Sequence, residues 1–137
     1  MRPTTQLQAV FYRAPDGSEP VDEFIGALGD PGRQAAVDFQ IDRLNMLTAR
    51  NPHLPFPHSS QVEGELRELR CHYGRELYRI FYRRSGNLFV LLHMFRKDTA
   101  RLPEREVEIA RQRWSDFKQR MDAEKRVPPR AAGHDAP

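Results

Sequence analysis

Arg70, Arg79, His93 and Lys97, with Phe95 between the last two, are the residues of this sequence whose types could do chemistry together. A planar guanidinium holds a phosphate in bidentate fashion and stays charged at any physiological pH, and an ammonium adds a compact point charge. An imidazole trades protons near neutrality. A neighbouring aromatic ring can stack on a base. The set would therefore suit a polyanion whose bonds are to be held or broken. Each member also has an ordinary reading: both arginines can pair with Glu68, and His93 and Phe95 can be core side chains.

The charge distribution supports the first reading more than the total does. The chain has 22 Lys and Arg against 19 Asp and Glu, a net charge of only +3. Between Glu65 and Lys97, however, eight cations (67, 70, 75, 79, 83, 84, 96, 97) face three acids (65, 68, 76). A field of that kind on one surface concentrates polyanions. The single Cys71 excludes an internal disulfide or a Cys-rich zinc site, and the five His show no metal spacing, so neither metal nor cofactor is expected. No stretch has the apolar length of a signal peptide core or a membrane span, and a cytoplasmic protein with no membrane contact is expected.

The elements that must position these residues follow from local pattern. LQAVFY, residues 7–12, reads as a first strand ended by the turn-forming RAPDGSEP. PVDEFIGAL reads as a short helix stopped by Gly29-Asp30-Pro31-Gly32. From Arg33 to about Arg50, Val37, Ile41, Leu44 and Leu47 share one helical face. The proline-bearing NPHLPFPHSSQVEG, residues 51–64, reads as irregular loop. Three strands then follow, 66–71, 77–83 and 87–95, joined by turns short enough to make an antiparallel meander. Beyond Pro103, Val107, Ala110, Trp114, Phe117 and Met121 line one face of a last helix. At 137 residues the chain fits one domain, over about 1–125, with 126–137 fraying as a tail.

Strand alternation sorts the side chains. Arg79, Phe81 and Arg83 should point opposite to Tyr78, Ile80 and Tyr82, and Arg70 joins Arg79 if the register allows. Phe89, Leu91, His93, Phe95 and Lys97 should share one side of the last strand, opposite Leu88, Val90, Leu92 and Met94. Arg70, Arg79, His93, Phe95 and Lys97 would then converge on one partly wet face of the sheet.

E-L-R (Glu68 to Arg70), Y-R-I-F-Y (Tyr78 to Tyr82), L-L-H-x-F-x-K-x-T-x-x-x-P (Leu91 to Pro103) and the charged helix with Ala110 resemble, in order and spacing, the HigB-type branch of the RelE/ParE toxin superfamily. The resemblance covers about Leu66 to Phe117. It implies an α+β, RelE-like fold: an N-terminal strand, two helices, a meander of about three strands and a C-terminal helix. It further implies a type II toxin that cuts mRNA on the translating ribosome without a metal, held by a cognate antitoxin, often a helix-turn-helix protein. Arg70, Arg79, His93 and Lys97 take the catalytic positions by that resemblance. Phe95 takes the base-stacking one, and Arg83, Arg96 and Arg101 would line the RNA-facing surface, with His72 and Tyr73 in reserve. Arg67 stands where Trp is common, Met94 where Gly is, Asp98 where a second Lys is, and Leu102 where Thr often caps the last helix. The alternatives are a ParE-like inhibitor that grips a topoisomerase, or an inactive relative that binds RNA or antitoxin.

Overall fold

Apolar periodicity sets two layers against one sheet. The computed structural model describes residues 5–97, 103–121 and 128–133. In chain order it comprises β1 (Gln8–Phe11), α1 (Pro20–Ala27), α2 (Pro31–Asn45), β2 (Ser59–Glu63), β3 (Leu66–Tyr73), β4 (Glu76–Ser85), β5 (Leu88–Arg96) and α3 (Glu104–Met121). This is the α+β class expected, with one strand more than the predicted meander. The five strands run in the order β1-β5-β4-β3-β2, with β1 parallel to β5 and the other neighbours antiparallel.

Helices α1 and α2 cover one sheet face, burying Val21, Ile25, Val37, Ile41 and Leu44 against Leu69, Cys71, Ile80, Tyr82 and Leu91. Helix α3 covers part of the other face, where Val107, Ala110 and Phe117 meet Phe81, Val90, Leu92 and Phe95. Pro31 occupies the first turn of α2, and the Asp30 carboxylate accepts from the Gly32 amide at 2.9 Å. That cap fixes where the helix begins. The helix ends at Asn45, short of the predicted Arg50, although Leu47 is still buried. Asn45 is drawn inward instead: its Oδ1 accepts from the Ala9 amide at 2.7 Å and its Nδ2 donates to the Ala132 carbonyl at 2.9 Å.

Three findings differ from the sequence pattern. The stretch read as irregular loop contains β2, whose Ser59, Ser60 and Gln61 pair with Leu69, Glu68 and Arg67. Strand β5 carries a bulge: Phe81 faces His93 but Tyr82 faces Leu91, leaving Leu92 unpaired. One extra residue reverses the alternation. Phe89 and Leu91 therefore join the α1/α2 core rather than sharing a side with His93 and Phe95. Finally, residues 128–133, part of the stretch expected to fray, dock along β1: Ala131 bridges Val10 and Ala132 is buried. The Arg130 guanidinium there bonds Glu19 and Asp22.

Candidate active site

The meander register builds the site row by row. Arg70 lies opposite Arg79, and Arg79 opposite Phe95; one step away, Glu68 lies opposite Phe81, and Phe81 opposite His93. All six belong to the α3 side of the sheet. The two-residue turn between Tyr73 and Glu76, with Gly74 at φ 58°, ends this face close to Arg70. Lys97 follows Phe95 by two residues, and its amide donates to the Leu77 carbonyl at 2.9 Å, which holds the end of β5 beside β4. His72 pairs with Leu77 in the same outer row and is exposed.

Glu68 organises the cations. Its Oε2 accepts from Arg79 Nη1 at 2.7 Å, and its Oε1 accepts from Arg70 Nε at 3.0 Å and from the Ser60 hydroxyl at 2.8 Å. The carboxylate is 3 % exposed and Arg79 4 %. Arg79 is thus a buried ion-pair partner, and its Nε has no acceptor among the described residues. Burial, then the Arg70 charge, lowers its pKa, while Glu68 opposes both. The Arg70 side chain is 23 % exposed and remains within reach of a ligand. Lys97 is held below the ordinary lysine value, first by partial burial and then by the charges of Arg79 and Arg70. That mutual influence places all three cations in one field.

His93 lies elsewhere in the chemistry. Its Nε2 bonds Glu106 of α3, and its Nδ1 takes a 3.1 Å bond from Arg113, whose Nη1 also donates to the Leu92 carbonyl at 2.9 Å. Burial pulls the imidazole pKa down, and the Glu106 contact only partly opposes it. A neutral ring donating from Nε2 and accepting at Nδ1 satisfies both neighbours. Both nitrogens are therefore committed to α3. Phe95, expected to stack on a base, is 8 % exposed; its ring stacks on His93 at 5.6 Å and meets the Phe81 edge at 5.1 Å. It is a core side chain.

The peripheral cations separate as well. Arg83 stands four residues along β4 from Arg79, about 13 Å at strand rise. Its guanidinium lies over Trp114 at 4.5 Å and reaches Glu65 at 3.3 Å. Arg96 lies across from Tyr78 on the opposite face, 3.4 Å from Glu76. Tyr73 is under Arg33, whose guanidinium carbon is 5.1 Å from the ring centre. Arg101, Asp98 and Leu102 fall outside the described residues.

One residue was missed by pattern. Phe56 is 72 % exposed, and the Arg70 guanidinium sits 5.2 Å from its ring centre. The Arg70 amide donates to the His58 carbonyl at 2.9 Å, extending the β2–β3 pairing and bringing the loop alongside. Without β2 in view, nothing in the sequence links position 56 to position 70. Among the described residues no group of three or more His, Cys, Asp or Glu is placed to hold a metal ion. None of their helices is long and apolar enough to cross a membrane.

A five-stranded sheet between a helix pair and a C-terminal helix, with cations gathered at one strand end, is an α+β domain of RelE-like architecture. Residues 28–115 match the family model described as Phage derived protein Gp49-like (DUF891). The chain belongs to that Gp49-like family, a toxin–antitoxin family of the RelE/ParE kind, and membership implies an antitoxin partner. The match spans β2 to β5 and so includes Arg70, Arg79 and Lys97. A search of curated proteins returns no match to the chain.

Proposed function

We propose that the chain is a HigB-type toxin that inhibits translation in the cytoplasm by cutting mRNA on the ribosome, without a metal, until a helix-turn-helix antitoxin covers it. The observation that carries this reading is the pairing of two accessible cations, Arg70 and Lys97, with exposed Phe56 at one strand end. Cleavage of RNA requires removal of the 2′-hydroxyl proton, attack of that oxygen on the adjacent phosphorus, and protonation of the departing 5′-oxygen. The products are a 2′,3′-cyclic phosphate and a 5′-hydroxyl. Arg70 neutralises the charge that builds on the phosphorane oxygens. Lys97, with its lowered pKa, and the exposed His72 imidazole are the groups suited to moving the two protons.

Arg79 acts indirectly in this reading. It anchors Glu68, which in turn aims Arg70. His93 positions α3 against the sheet rather than exchanging protons with substrate.

Expression without antitoxin, followed by mapping of mRNA 5′ ends, tests the reading. Growth arrest with new ends inside translated codons is expected, and Arg70→Ala or Lys97→Ala should abolish both while the protein stays folded. Arrest with intact messages and altered DNA supercoiling would instead identify a topoisomerase inhibitor. Arrest undiminished in both variants would remove these residues from the site.

A further inference from the structure

On the opposite face, the α1/α2 side, the sheet end beyond the helices carries a groove of about 740 Å³ lined by Pro52, His53, Arg67, Tyr82, Arg84 and Phe89, among others. Its two arginines differ from those around Glu68. Arg67 Nε donates to the Ser59 hydroxyl at 3.3 Å, which shares a 2.7 Å bond with the Tyr82 hydroxyl. Arg84 Nε donates to the Gly86 carbonyl at 2.8 Å. Each guanidinium is thereby oriented through its inner nitrogen by a neutral acceptor. Neither has a carboxylate at ion-pair distance among the described residues, and the nearby Glu65 is turned to Arg83 at 3.3 Å.

Two fixed guanidinium groups with uncommitted Nη ends match the oxygens of a phosphate. The charges of both also reach His53, whose pKa is lowered by burial first and then by Arg67 and Arg84. The volume falls within the roughly 300–1,000 Å³ of sites that enclose small organic ligands, enough for a nucleotide and too narrow for a duplex. Pro52 and the exposed His53 ring give the groove a wall against which a base can lie.

We infer that this groove binds a nucleotide phosphate of a single-stranded nucleic acid, as a second contact on the face opposite Arg70 and Lys97. An acidic peptide is the lesser match, because it would use the charges but not the base-sized wall. The inference does not depend on catalysis at Arg70, since the two sets lie on opposite sides of β3 and β4.

The test uses the full chain, a short fluorescein-labelled single-stranded RNA, adenosine monophosphate and a polyglutamate peptide. With RNA, Arg67→Gln/Arg84→Gln should lower affinity about tenfold and reduce the slope of log affinity against log salt by about 1.4, at ~0.7 per lost phosphate contact. Arg70→Ala should leave that part of the slope in place. By NMR, RNA should shift the Arg67 and Arg84 Nε–H resonances of the unsubstituted protein. A matching shift with adenosine monophosphate shows that a free nucleotide suffices, and its absence shows that a strand is needed; both support the inference. Amide spectra report whether the double variant folds, and if it does not, Arg84→Gln alone is read for about half the slope change. Unchanged affinity and slope in a folded variant, or shifts produced by polyglutamate alone, would overturn it.

Discussion

Replacing Glu68 by Leu should destabilise the fold far more than a surface ion pair warrants. The Glu68 and Arg79 side chains are 4 % and 5 % exposed and meet at 2.7 Å. Removing the carboxylate strands a buried guanidinium whose Nε already has no acceptor among the described residues. Breaking a buried pair in this way costs about 3–5 kcal/mol, a large part of the roughly 5–15 kcal/mol that holds a domain together. Arg70, at 23 % exposure, can turn to water, so its lost bond adds only about 0–1 kcal/mol. Removing both charges is different: Glu68→Leu/Arg79→Met should recover most of the loss, because an apolar pair of similar volume avoids both desolvation penalties. Urea unfolding followed by fluorescence of Trp114, the chain's one Trp, reports these stabilities. With a slope of about 1–3 kcal/mol per molar urea, the single substitution should lower the midpoint by about 2 M. A loss under about 1 kcal/mol in Glu68→Leu, or a double variant no more stable than the single, would refute the assignment of Glu68 and Arg79 as a buried pair.

Phe56→Ala should weaken RNA binding and cleavage by about 1–3 kcal/mol, the range for one base–aromatic stack, without changing the urea midpoint, since the ring is 72 % exposed. Phe56→Trp should retain both; equal activity in all three proteins would exclude stacking. For His93, NMR should find a pKa below the free imidazole value and the Nε2–H tautomer at neutral pH, as its two bonds require. Because the unfolded chain then takes up the proton first, His93 makes stability fall as pH drops below about 6.5. A titration at or above that value would contradict the buried neutral ring. The Tyr12 hydroxyl donates to Asp116 at 2.7 Å and its pKa is pushed up to about 12, mainly by burial. Its raised pKa means stability present below pH ~10 is lost as pH climbs toward ~12, by up to about 3 kcal/mol, and Tyr12→Phe should remove that share of the decline in urea curves taken across the window.

Much of the architecture was legible because it is encoded locally. The 3.6-residue spacing of Val37, Ile41 and Leu44, the Asp30-Pro31 start and the Gly86 turn each act within a few residues. The site was legible only in outline. Arg70, Arg79 and Lys97 do share a field, but which of them meets solvent depends on a neighbour eight or more residues away in another strand. Arg79 reads in sequence as a ligand-binding arginine and is instead held by Glu68. Phe95 and Phe56 exchange places: the first is buried between His93 and Phe81, and the second is exposed beside Arg70.

By itself the sequence determined the element types, the antiparallel meander and the concentration of cations between Glu65 and Lys97, since periodicity, turn chemistry and charge are properties of neighbouring residues. Only the tertiary structure decided the bulge at Leu92, the strand hidden at Ser59–Glu63, and the burial of Arg79 and His93. Each of those is settled by pairing across the sheet or by packing under α3. Desolvation and register are set by residues distant in the chain, and they determine which charges stay available to a ligand.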